Sequence, residues 1–180
     1  MVMGLAGSKG PNVFDAHERV LPASAEVVGA LLDRLGSDDD PIWPLDRWDP
    51  LDLDRPLERG TRAEYGPFRY FVDEYEPGRA VRFRFSAPPG YLGQFEFVVE
   101  RAAERGEGAA RLRHVLALSL GDVGTRLKWW IVWRPLHDAL MEDLLDRAEA
   151  AVTGQPMQPR AWSLQVKLLR RLVGSRPAPR

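Results

Sequence analysis

The stretch VDEYEPGRAVRFRF, residues 72–85, carries the first decision about the fold. Beyond Pro77-Gly78 its residues alternate, with Val81, Phe83 and Phe85 on one side and Arg82 and Arg84 on the other. Successive side chains of a strand point to opposite faces, so this segment has one apolar and one wet face. A break as short as Pro77-Gly78 cannot hold a parallel crossover, which needs a dozen or more residues. The stretch therefore predicts an antiparallel hairpin at the edge of a hydrophobic core.

The same period runs outward in both directions. TRAEYG (61–66), FRYFVDEYE (68–76), RAVRFRFSA (79–87), GQFEFVVER (93–101) and ARLRHVLALSL (110–120) are five strand candidates separated by short Gly/Pro breaks, as in an antiparallel meander. Phe95, Phe97 and Val99 share a face, as do Leu112, His114, Leu116, Leu118 and Leu120. Upstream, VFDAHERVL (13–21) reads as another strand. Ser24 then suits an N-cap with Glu26 in the first turn, Val27, Val28, Leu31, Leu32 and Leu35 recur at helical spacing, and Gly36 suits the C-terminal cap. In SDDDPIW (37–43), Asp40 before Pro41 predicts the cap of a second short helix or a turn, a simpler account of the aspartates than a cation site. Downstream, the period turns helical from about Thr125 to Val152, with Pro135 expected to end or kink the helix just before it. Trp129, Trp133, Leu136, Leu140 and Leu144 form one stripe, and Asp138, Glu142, Asp146 and Glu149 the opposite one.

Bulk properties narrow the function classes. A chain of 180 residues with 44% hydrophobic content fits one globular domain. Cysteine is absent, which removes disulfides, thiolate metal sites and cysteine nucleophiles and fits a cytoplasmic location. The first residues lack the apolar core of a secretory signal, although Met3-Gly4 through Ser8 matches a myristoylation pattern if translation starts at Met3. No apolar run is long enough to span a membrane. From Gln155 onward there are six basic residues and no acids, which leaves the first 154 residues at a net charge of −7. A body of that sign is a poor nucleic-acid ligand. No nucleophile elbow, phosphate-binding loop or dinucleotide fingerprint occurs.

The order strand, two helices, meander and long helix resembles the helix-grip fold of START-like lipid-transfer domains, plant pollen-allergen proteins and polyketide cyclases (the SRPBCC superfamily). VLPASAEVVGALL (20–32) is similar to the strand-to-helix transition of that family, and VDEYEPGRAVRFRF to its central hairpin. Trp43-Pro44 and RPLHDALMED (134–143) resemble a bacterial subgroup without an established activity. The resemblance implies an α+β fold: a curved antiparallel sheet wrapped around a long C-terminal helix, with two short helices after the first strand. It implies a domain over 13–154, preceded by a flexible segment 1–12 and followed by a basic amphipathic tail 155–180. It further implies a cavity between sheet and helix.

The expected lining of that cavity comes from the inner sheet face and the helix stripe: Phe83, Phe85, Phe95, Phe97, Leu116, Trp129 and Trp133, with Trp43 and Trp48 either at its mouth or packed as anchors. His114 faces inward, as a satisfied core residue or as a polar group of the cavity; Tyr65 and Tyr70 are similar cases. His17, alternating with Asp15 and Arg19, is assigned to solvent. His137, Asp138, Glu142 and Asp143 are assigned to the wet face of the last helix, so no metal and no cofactor are expected. Three functions fit: binding or transport of a hydrophobic ligand such as a lipid, quinone or polyketide; a cyclase or aromatase using cavity acid/base groups; or an interaction module acting through the tail. Trp162, Val166, Leu169 and Val173 align on that tail, which docks on the domain, self-associates in a homodimer, lies on a membrane surface or stays disordered. A chain ending at Gly154 is expected to fold.

Overall fold

The computed structural model describes residues 10–105, 108–157 and 159–173, so the Met3–Ser8 pattern and the last seven residues of the tail lie outside the described residues. Seven strands form one antiparallel sheet: β1 (Val13–Leu21), β2 (Asp52–Leu53), β3 (Arg62–Tyr65), β4 (Phe68–Glu76), β5 (Ala80–Ala87), β6 (Tyr91–Arg101) and β7 (Ala110–Leu120). Their order is β1-β7-β6-β5-β4-β3-β2, so the meander of the five predicted strands is closed at one edge by β1 and at the other by the short β2. Register irregularities in β4, between Arg69 and Tyr70 and between Val72 and Glu74, are bulges of the kind that bend a strand. The apolar parity holds across the sheet: Val72, Val81, Phe83, Phe97, Leu112, Leu116 and Leu118 are all at most 2% exposed. The outer face carries paired charges, among them Arg82 with Glu74 and Glu96, and Arg84 with Asp73. Such exposed pairs contribute little each and mainly keep that face solvated.

The helix α1 (Ala25–Leu32) follows β1, with Ser24 accepting the Val27 N–H as its cap. It approaches the β4–β5 turn so closely that a Cβ on Gly29 would fall 2.1 Å from the carbonyl oxygen of Gly78. Asp33 locks that contact by accepting from the Tyr75 hydroxyl (2.9 Å) and the Gly78 N–H (2.7 Å). We therefore expect Gly29→Ala to lower stability by about 2 kcal/mol, because overpacking against a backbone outweighs alanine's better helix propensity of about 1 kcal/mol. A chemical-denaturation midpoint equal to wild type would contradict it.

Of the two forms expected after Asp40, the turn forms and the second short helix does not. Residues 33–51 run through turns, and the Asp40 carboxylate clamps them by accepting from the N–H groups of Gly36, Ile42 and Trp43. The cap was legible, but its acceptors are used on both sides of Asp40, which closes a loop instead of starting a helix.

The C-terminal helix is one run from Val123 to Thr153 with a wide turn inside it: α2 (Val123–Lys128), a π-helical turn (Trp129–Trp133) and α3 (Arg134–Thr153). The π turn ends just before Pro135, where the Arg134 N–H reaches back to the Trp129 carbonyl. Proline lacks an N–H and clashes with the carbonyl four residues earlier, and widening the turn relieves that clash. Helix α4 (Leu164–Val173) then folds back onto α3, burying Val166 and Leu169. No helix among the described residues is long and apolar enough to cross a membrane.

Candidate functional site

A cavity of about 110 Å³ lies between the inner sheet face and the C-terminal helix, with Arg170 and Val173 of α4 on its wall. All the aromatic, histidine and leucine positions expected to line a cavity stand on this wall except Phe83, which is fully buried and stacked on Phe95 at 4.8 Å between ring centroids. The corrected place of Phe83 is the packed core one layer behind the wall. Sequence reasoning missed Phe68, which meets Tyr91 at 5.2 Å and Trp133 at 5.0 Å in edge-to-face contacts. Its parity with Tyr70 and Val72 on β4 was the available signal. Asp49, Met141, His137 and Arg170 also reach the wall and gave no such signal.

The lining is mostly apolar, with a few polar groups. Burial pushes the hydroxyls of Tyr65 and Tyr70 above the usual phenol range, so both stay neutral donors. His114 is 2% exposed, and burial, reinforced by the neighbouring His137 and His17, holds its pKa well below the ordinary imidazole value. It is therefore a neutral imidazole, and its Nδ1 has no hydrogen-bond partner. The indole N–H of Trp129 is unpartnered as well.

Behind this end of the cavity the structure corrects two expectations. His17 lies directly opposite His114 in the β1–β7 register, and paired residues of neighbouring strands share a face. Asp15, His17 and Arg19 therefore point inward, toward α3, while Phe14 is 66% exposed. The acidic stripe of α3 meets them. Arg19 bonds Asp146, Glu142 and Glu149, and His17 Nδ1 lies 3.3 Å from Glu142 Oε1. His137 is packed against the His17 and His114 rings, at centroid distances of 5.6 and 4.9 Å. The supposed wet face is a polar seam between an edge strand and the helix. Burial opposes charge on His17, but contacts with Asp138, Asp15 and Glu142 outweigh it and raise its pKa to about 10. Asp15 is held far below the usual carboxylate range, chiefly by His137 and His17.

Asp143 is a second correction. It is 2% exposed and accepts from Arg47 (2.6 Å), the Trp48 indole (2.7 Å) and the Trp162 indole (3.0 Å). Arg170 lies over both indoles, at 4.4 and 4.7 Å from their ring centroids. Trp48 is thus both anchor and wall, and the described part of the tail is docked on the domain.

No family model matches the sequence, and no curated protein matches it. Solved structures do. CalU16 from Micromonospora echinospora is 12% identical, with a TM-score of 0.56 over 89% of this chain and 83% of that one. Norcoclaurine synthase from Thalictrum flavum, in complex with dopamine and hydroxybenzaldehyde, is 12% identical with a TM-score of 0.59 over 88% of this chain and 99% of that one. A protein from Nitrosospira multiformis is 10% identical with a TM-score of 0.57 over 78% and 99%. These likenesses join the strand order, the inward parity and the long C-terminal helix to one conclusion: the chain has the helix-grip fold.

Proposed function

We propose that the protein binds a small, flat hydrophobic molecule in the cavity between the sheet and the C-terminal helix. The observation that carries this is a ring-lined space whose wall includes the neutral imidazole of His114, a buried group with an unpartnered Nδ1. Buried polar atoms without partners are rare, and a ligand hydroxyl or carbonyl would satisfy this one. The volume limits the ligand. A cavity of roughly 150 Å³ admits benzene, so about 110 Å³ limits the ligand to a single ring or short chain, and a substituted ring needs the wall side chains to give way. The norcoclaurine synthase complex, with its single-ring phenols, supports ligands of that size on this fold. A longer lipid, quinone or polyketide would need α4 to move, because Arg170 and Val173 stand on the wall.

The cyclase or aromatase alternative rests on His114 and His137, both on the wall and within reach of a proton-transfer role. The tail alternative rests on Leu164, Leu168 and Leu172, which are exposed at steps of four on the outer side of α4. A cytoplasmic location belongs to the same proposal. Native mass spectrometry of the purified full chain tests the first reading. We expect one bound molecule of mass near that of a substituted ring. A protein that shows no bound mass and no saturable binding across a panel of phenols, aromatic aldehydes and short fatty acids would overturn it. Turnover lost in His114→Leu while affinity is kept would favour the cyclase reading.

A further inference from the structure

The polar seam behind the cavity has a geometry that a hydrogen-bonded network does not explain. His17 Nε2 is 3.5 Å from Asp138 Oδ1 and 3.8 Å from Asp15 Oδ1. His137 Nδ1 is 3.6 Å from Asp15 Oδ2 and 3.7 Å from Asp138 Oδ1. Nitrogen–oxygen hydrogen bonds span about 2.7–3.2 Å, so all four separations are too long. Asp15 turns Oδ1, which also accepts the Ala16 N–H, toward His17 and Oδ2 toward His137; the three separations that do not involve Asp15 Oδ1 match a different arrangement. Two ligand atoms each about 2.1 Å from a shared zinc ion, at the tetrahedral angle, lie about 3.4 Å apart. One ligand atom from each of Asp15, His17, His137 and Asp138 falls within 4.8 Å of all the others.

We propose that these four residues bind a divalent transition-metal ion. Asp15 Oδ2, His17 Nε2, His137 Nδ1 and Asp138 Oδ1 are all buried and have no hydrogen-bond partner. In the metal-free protein the imidazoles and carboxylates face one another as ion pairs; a divalent cation in the same small space would take the place of the imidazolium proton and be held by all four atoms. The outer contacts fit the same assignment. Glu142 Oε1 sits 3.3 Å from His17 Nδ1, just beyond the usual hydrogen-bond range, and so faces the ring nitrogen other than Nε2. A carboxylate behind a metal-bound histidine fixes its tautomer and raises its basicity. Arg134 Nε lies at the rim of the cluster, 3.8 Å from Asp138 Oδ2 and 4.0 Å from Asp15 Oδ2. Two imidazoles with two carboxylates suit zinc, manganese or ferrous iron, and the absence of thiolates disfavours softer ions. The ion would lie behind His137, at the polar end of the cavity, and its binding does not depend on a ligand being there.

The test uses full-length, tag-free protein stripped with EDTA, since His17, His114 and His137 are the chain's only histidines. Zinc is titrated by calorimetry and cobalt(II) by its visible bands. We expect one zinc per chain with a Kd below about 1 μM, the affinity of a site with about 8 kcal/mol of binding energy. His17→Ala and His137→Ala should each weaken binding by about 100-fold or more, and Glu142→Gln by about 10-fold to 100-fold. No stoichiometric binding, or binding unchanged in both histidine variants, overturns the proposal. Should those variants not fold, Asp138→Asn carries the test, because that side chain is 41% exposed. About tenfold weaker binding in it supports the site, and wild-type binding overturns it.

Discussion

Asp143→Ala should lower stability by about 3–5 kcal/mol, because it breaks a buried charge pair from one side. The aspartate is buried and accepts from one guanidinium and two indoles. Its removal leaves Arg47 without its carboxylate and the Trp48 indole N–H buried without an acceptor, and each stranded donor costs about 1–3 kcal/mol. For a chain of this size the loss corresponds to a fall in melting temperature of about 10 °C. Native domains are stable by about 5–15 kcal/mol, so the variant should still fold. Its tryptophan emission should shift to the red as Trp48 and Trp162 become hydrated, because the tail is tied to α3 through Asp143. Asp143→Asn retains one acceptor oxygen and should fall between the two. A melting temperature within about 2 °C of wild type, or an unshifted spectrum, would show that Asp143 does not hold the tail.

Leu140→Phe should abolish most ligand binding while sparing the fold. Leu140 is 4% exposed and stands on the cavity wall from α3. A phenyl ring there extends into space no protein atom occupies. Overpacking a filled core costs about 1–3 kcal/mol, and into an existing cavity the cost should lie at or below the low end of that range. The ligand loses the same space, so its affinity should fall about tenfold or more, equivalent to about 1.4 kcal/mol. Calorimetric titration with the molecule found by mass spectrometry checks this. Unchanged affinity would mean that the ligand lies elsewhere. A collapse in stability would mean that the space at Leu140 is already filled.

How far the sequence reached depends on what each face meets. The inner face of β4 to β7 was legible because burial and period two agree: Val81, Phe83, Phe97 and Leu116 are apolar and inward together. The inner face of β1 was not, because its inward residues are Asp15, His17 and Arg19 while Phe14 points out. Alternation alone assigns the polar set to water. Only the register, with His17 opposite His114, reverses it, and register depends on pairing across about a hundred residues. The acidic stripe of α3 was misread for the same reason. Its amphipathy was correct, but its polar side meets a charged strand while Asp138, Glu142 and Glu149 stay partly open to solvent. The tail shows the opposite case. The spacing of Trp162, Val166 and Leu169 marked a face needing cover, and that face docks against the core, while its partner Asp143 lay hidden among ordinary helix charges.

The central claim is that the cavity is the ligand site, and crystals grown with 4-iodophenol test it most directly. Iodine scatters anomalously, so its position is located without interpreting weak ligand density. One anomalous peak is expected inside the cavity, between the sheet residue Phe95 and the helix residue Trp133, with the phenol oxygen toward His114. An occupied peak anywhere else on the protein, with the cavity empty at the same concentration, would contradict it.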